Sequence, residues 1–194
     1  MDIYEKEQAL EKKAEIVERI KKGEVFIYPT DTIYGLGCDA KNKSSVERIK
    51  QIKGRDNKPL PILVPSKDWI RNNLIVDDYI EDWLKKLPGP YTFILESENT
   101  IESAQVIDNV APGSDWLGVR MIESFFQDFV TELGVPVVTT SVNISGNEPI
   151  KDIAKLPLEI KEKVDFIIND RVLDNPPSTL VDFHTHEPKI IRRN

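Results

Sequence analysis

Val25-Phe-Ile-Tyr-Pro-Thr-Asp-Thr-Ile-Tyr-Gly-Leu-Gly37 is the stretch on which the fold turns. Four apolar residues form a short buried strand that stops at Pro29, which cannot donate to a ladder. The loop after it carries the hydroxyls of Thr30, Thr32 and Tyr34 and the carboxylate of Asp31. Gly35 and Gly37 allow a tight turn or close approach of a ligand to the backbone. A periodic segment follows, with Val46, Ile49 and Ile52 on one face and Ser44 or Ser45 as its cap. It ends at Lys53-Gly-Arg55, with Lys58 shortly after. Strand, polar loop, helix and paired cations in that order put phosphate-binding groups at the end of a buried strand, where open α/β sheets bind ligands. No Gly-Lys-Ser/Thr follows the glycines, so this is not a P-loop.

The 194 residues suffice for one sizeable core and predict a single domain over 1–194. A hydrophobic content of 40% with 30% charged residues describes a globular chain. Against 26 basic residues stand 33 acidic ones, a net charge of −7, which argues against a general nucleic-acid coat. One cysteine, Cys38, excludes an intramolecular disulfide and fits a reducing compartment. The N-terminus has no apolar signal region, and no run reaches the ~20 apolar residues that span a bilayer. A cytoplasmic protein with no membrane contact is expected.

Residues 2–22 read as an amphipathic helix stopped by Gly23. Strands are expected at 61–64, 91–95, 117–121, 135–140, 166–168, 179–183 and 189–192. Helices are expected at 77–87, 123–133 and 152–163. This alternation predicts a layered α/β (α+β) domain whose sheet is mixed, given the many short strands toward the C-terminus.

Four further constellations could carry chemistry. Lys53, Arg55 and Lys58 fit a phosphate clamp, since arginine forks onto phosphate and lysine supplies a movable charge; cations at a helix C-terminus are also favourable for structural reasons. Ser141, Asn143 and Ser145 end a β-branched strand and suit phosphate, ribose or a metal-bound water, or simply a polar turn. Pro177-Ser-Thr-Leu-Val-Asp182 and Arg192-Arg193 could complete a site, or form an edge strand and a solvated tail. His184 and His186 face one side if extended, but a zinc site lacks further ligands nearby, so a surface turn is expected. No metal site is predicted.

Four pieces in order make the chain resemble the YrdC/YciO superfamily. They are Tyr28-Pro-Thr-Asp-Thr-Ile-Tyr-Gly-Leu, Lys53-Gly-Arg55 with Lys58-Pro-Leu, Leu87-Pro-Gly-Pro-Tyr-Thr, and Ser141-Val-Asn143-Ile-Ser-Gly. The resemblance runs from about Val25 to the C-terminus and implies a three-layer fold, a twisted mixed sheet flanked by helices; the expected N-terminal helix of residues 1–22 precedes it. For members of the YrdC type it implies threonylcarbamoyl-AMP synthesis from L-threonine, bicarbonate and ATP with Mg²⁺ entering on the nucleotide, and no tightly bound cofactor. A tRNA threonylcarbamoyl transferase complex would then act on tRNA position 37, with transient contact to this chain.

By the same resemblance Lys53 and Arg55 are the catalytic cations and hold the triphosphate. Lys58, Ser141, Asn143 and Arg192 join them at ATP. Thr32, Tyr34, Arg120 and Ser178 are implied at threonine. The chain departs from the family in reading Asn57-Lys-Pro-Leu60 where Asn-Pro-Leu is common, and Ser-Val-Asn where Ser-Ala-Asn is usual. Two alternatives therefore stand beside the synthase: a YciO-like enzyme with another substrate, and a non-catalytic module for structured RNA. A carbamoyl-transfer module of hydrogenase maturation fits less well, because that module belongs to a much larger chain.

Overall fold

The structure is a computed structural model that describes residues 1–54, 58–185 and 187–192. Eleven strands among these residues form two mixed sheets. In chain order they are β1 (Asp2–Glu5), β2 (Phe26–Tyr28), β3 (Gly35–Gly37), β4 (Ile62–Leu63), β5 (Tyr91–Glu96) and β6 (Trp116–Arg120). Then follow β7 (Val137–Val138), β8 (Thr140–Ser141), β9 (Phe166–Asn169), β10 (Thr179–Asp182) and β11 (Lys189–Ile191). The helices are α1 (Lys6–Glu11), α2 (Lys13–Lys21), α3 (Lys43–Lys53), α4 (Lys67–Asn73), α5 (Asp78–Leu84), α6 (Ile101–Val110), α7 (Gln127–Leu133) and α8 (Leu158–Lys161).

The first sheet has the order β1-β9-β2-β3-β8 and the second β11-β10-β5-β6-β4-β7. The expected strand at 135–140 joins them. Val137 and Val138 pair with Leu63 and Ile62 of the second sheet, whereas Thr140 and Ser141 pair with Leu36 and Gly35 of the first. A continuous β-branched run suits this path because the segment is covered wherever it goes.

Alternation along the strands divides the interior in two. Ile27, Leu36, Ile62, Phe93, Leu117 and Val119 share one cluster with Val46 and Ile49 of α3 and Val106 of α6. Phe26, Tyr28, Leu63, Phe166 and Val137 point the other way, onto Ile16 and Ile20 of α2 and Phe129 and Val130 of α7. The second cluster is a stack of rings: Phe26 lies on Phe166 at 5.0 Å, and Tyr28 on Phe126 at 4.3 Å. Such pairs are each worth about 0.5–1.5 kcal/mol beyond the area they bury.

Two expectations are corrected here. Residues 2–5 are a strand, not the start of a helix, because they pair in parallel with β9 and bury Tyr4 alone. Residues 35–37 are a strand, not part of a loop. Gly35 sits opposite Tyr28 in the ladder, and a Cβ there would come within 2.7 Å of the Tyr28 ring. The 152–163 segment is a 3₁₀ turn at Ile153–Lys155 and then α8, broken at Pro157. Helices α4 and α6 lie in stretches that gave no clear pattern. Each is capped by a hydroxyl: Ser66 accepts from Trp69 N at 3.1 Å, and Thr100 from Ser103 N at 3.1 Å.

Candidate active site

A cavity of about 620 Å³ opens between the two sheets, within the range of ligand pockets. Its floor is the face of β10, β5 and β6 turned away from the first core cluster. Ser178 and Leu180, Thr92 and Ile94, and Trp116, Gly118 and Arg120 alternate onto that face. The register that pairs Phe93 with Val119 and Ile94 with Gly118 puts Thr92 across from Arg120. The opposite wall is the Thr30–Tyr34 loop and Gly35 of β3, together with Thr139, Thr140 and Ser141.

Arg120 anchors one end. Its Nη2 donates to Asp31 Oδ1 at 2.9 Å, both side chains being only 8% exposed. The same nitrogen lies 3.4 Å from Thr32 Oγ1, and Nε is buried with no hydrogen-bond partner among the described residues. Burial pushes the guanidinium pKa down, and the Asp31 charge opposes that shift. Asp31 is itself held: Glu123 N donates to its Oδ2 at 3.3 Å, and Asn175 Nδ2 donates to its carbonyl at 2.8 Å. Thr30 donates to Ile33 O at 2.6 Å, so the contact between Thr30 and Thr32 at 3.0 Å leaves Thr32 as donor. Across the floor, the buried hydroxyls of Thr92 and Ser178 touch at 2.7 Å. A guanidinium with a ring of hydroxyls is a receptor for a carboxylate or similar anion.

Lys53 ends α3, which Gly54 closes with a left-handed φ of 61°. Its side chain does not point into open solvent. It is 2% exposed and runs beneath the Ser141–Asn143 turn. Its Nζ donates to Ser141 O at 2.6 Å, to Ser141 Oγ at 3.3 Å and to Asn143 Oδ1. The helix also accepts from Ser145 N through Lys53 O at 3.0 Å. Ser141 lines the cavity, while Asn143 is tied back to Asn147 O.

The remaining expected residues are scattered. Tyr34 lines the cavity, but its hydroxyl donates to Arg171 O at 2.9 Å and accepts from Asp170 N at 3.1 Å. Burial accordingly raises its pKa. Lys58 and Arg192 are exposed and lie outside the lining, although Pro59, Leu60 and Pro61 line it. Arg55 and His186 fall outside the described residues. Sequence reasoning gave no site role to Thr92 or Trp116 and set His184 aside as part of a surface turn. His184 is not merely in a surface turn; it lines the cavity with its ring stacked on Trp116. Among the described residues no group of three or more His, Cys, Asp or Glu could hold a metal ion. No helix among them is long and apolar enough to cross a membrane.

A model of the Sua5/YciO/YrdC family, described as "Telomere recombination", matches residues 18–194. The chain belongs to this family. It is 35% identical over 187 residues to a Methanocaldococcus jannaschii protein described as "Putative threonylcarbamoyl-AMP synthase", covering 92% of this chain and 84% of that one. Two solved structures are similar throughout. E. coli YciO superposes with a TM-score of 0.85 at 25% identity, covering 100% of this chain and 96% of its own. P. abyssi Sua5, solved with L-threonine, gives 0.84 at 25% identity, covering 98% of this chain but only 56% of the longer Sua5 chain.

Proposed function

We propose that this chain is a threonylcarbamoyl-AMP synthase. The observation that carries the reading is the cavity with Arg120 and its hydroxyls at one end and Ser141, backed by Lys53, on the facing wall. The M. jannaschii relative's description and the threonine-bound Sua5 structure support the same assignment.

Threonine's amine condenses with bicarbonate to a carbamate, releasing water. A carbamate oxygen then attacks the α-phosphorus of ATP; the new O–P bond forms as the bond to pyrophosphate breaks. Both reactants are anions, so the protein must hold them together against repulsion, and catalysis is positioning and charge neutralisation. Arg120 would take the threonine carboxylate, with Thr32 and Ser178 around it and Tyr34 as the fixed wall. Lys53, Ser141 and Asn143 would hold the nucleotide phosphates, joined by Arg55, Lys58 and Arg192. Mg²⁺ would enter on ATP and be held mainly by its phosphates. The product is labile, which favours handing it to a tRNA threonylcarbamoyl transferase complex in the cytoplasm.

The test is pyrophosphate release from ATP, with the adduct followed by mass spectrometry. Release that needs both threonine and bicarbonate supports the synthase. ATP binding without threonine-dependent release would instead support a YciO-like enzyme, the reading kept open by the end-to-end match to YciO. No binding of ATP, with salt-sensitive binding of structured RNA, would overturn both.

A further inference from the structure

We propose that His184, held by Asp182 on the face of Trp116, contacts the outer phosphates of the nucleotide and of departing pyrophosphate. This rests on the cavity being the ATP site.

Three observations point there. The imidazole is built in place: its ring lies 3.9 Å from that of Trp116 at an interplanar angle of 21°. Its Nδ1 is hydrogen-bonded to Asp182 Oδ1, the oxygen that also accepts from His184 N at 3.0 Å. Trp116 is fixed in turn, its N donating to Ser114 Oγ at 3.0 Å. A carboxylate on Nδ1 keeps a proton there and leaves Nε2 as the nitrogen that can meet a ligand. No described residue hydrogen-bonds Nε2.

The second observation is the sign of the cavity. In a chain of net charge −7, none of its described lining residues is Asp or Glu, and the two basic ones are Arg120 and His184. The third is their spacing. Trp116 and Arg120 stand four residues apart on one face of β6, about 13 Å at ~3.3 Å per residue. In the joined reactants, the threonine carboxylate carbon and the γ-phosphorus are separated by nine bonds, roughly 11 Å when extended. With the carboxylate on Arg120, the outer phosphates reach the Trp116–His184 end. A ring nitrogen at the open end would bond an oxygen of the leaving pyrophosphate, while Asp182 prevents the ring from turning away.

The charged or titratable groups on the elements packed around His184 are Asp182 on β10, Lys189 across from it on β11, Glu96 across from Trp116 on β5, and Asp115 and Glu187 in the flanking turns. Of these, Asp182 alone bonds the ring.

The experiment measures binding of ATP, AMP and inorganic tripolyphosphate to the full chain and to His184→Gln, without threonine. The proposal expects His184→Gln to weaken ATP and tripolyphosphate on the order of tenfold, the scale of a lost charge-assisted hydrogen bond, while AMP is unchanged. Trp116→Phe should keep most of the affinity as a conservative platform, and Trp116→Ala should lose it. Equal weakening of ATP and AMP would overturn the assignment, as would no change in either. So would failure of wild-type protein to bind tripolyphosphate. Because none of these readouts uses threonine, failure of the synthase reading would show separately, as absent threonine-dependent pyrophosphate release.

Discussion

Replacing Asp31 by Asn should expose how much of the site depends on one buried ion pair. The Arg120 Nη2 to Asp31 Oδ1 distance is 2.9 Å, and each side chain is 8% exposed. At an effective dielectric of 20 that separation corresponds to about 6 kcal/mol of gross attraction, most of which offsets the desolvation of the two charges. Removing one charge leaves the other buried without compensation, which typically costs about 3–5 kcal/mol. Asn is nearly isosteric and can still accept from the guanidinium, so the lower end, about 3 kcal/mol, is expected. For a chain of this size that is a fall in Tm of roughly 6–12 °C. Urea unfolding of wild type, Asp31→Asn, Arg120→Met and the double variant gives the coupling directly. The double variant should be more stable than the two single losses summed. Threonine binding should weaken in Asp31→Asn and vanish in Arg120→Met. A loss below about 1 kcal/mol in Asp31→Asn, the size seen for exposed pairs, would refute the argument that this pair is desolvated.

Lys53→Met should keep the side-chain length but remove the donor to Ser141 and Asn143; ATP affinity should fall at least tenfold, and hydrogen exchange in 141–147 should quicken. Lys53→Arg should not rescue it, because a planar fork does not fit a buried point charge between those oxygens. Gly37→Ala should destabilise the fold by about 1–3 kcal/mol in urea titration, since its Cβ would meet Tyr28 Cε1 at 2.8 Å and the Val138 carbonyl at 2.9 Å. Asp39 has its pKa raised, first by burial, against a hydrogen bond from Lys41 N. The folded state therefore holds that proton more tightly than the unfolded state, and stability is lost as pH rises from about 4 through the raised value. Asp39→Asn should be at least as stable as wild type at pH 7 and lose that advantage below pH 4 in paired thermal melts.

Parts of this fold were legible where local signals and tertiary context agree. The helix at 43–53 shows its apolar stripe and ends at a glycine in the left-handed conformation, and β5 and β9 are rich in β-branched and aromatic residues. The failures have physical causes. Gly-Leu-Gly at 35–37 reads as a loop because its glycines serve the ring of Tyr28 on the neighbouring strand, a contact invisible along the chain. Residues 2–5 read as helix because only Tyr4 is buried, and their ladder partner lies more than 160 residues away. In the site, Thr32, Tyr34, Arg120, Ser141 and Ser178 lie on the cavity. Trp116 and His184 were not legible there, since a stack between residues distant in the chain leaves no periodic trace.

The placement of charge explains how an acidic chain can offer a site to anions. The cations that matter are inside the fold. Arg120 shares one carboxylate and keeps a buried Nε without a partner, and Lys53 is 2% exposed against carbonyl, hydroxyl and amide oxygens. Buried charges act at low effective dielectric and are screened little by salt, whereas surface acids such as Asp68, Glu81 and Asp82 are paired with neighbouring cations in water. The field that an anionic ligand meets is therefore set by the cavity and not by the net charge. A polyanion too large to enter meets the exterior instead, where acids outnumber bases across the whole chain. The same arrangement that admits a carboxylate and a triphosphate disfavours a broad RNA surface, and it does so through burial of two side chains, without any change in composition.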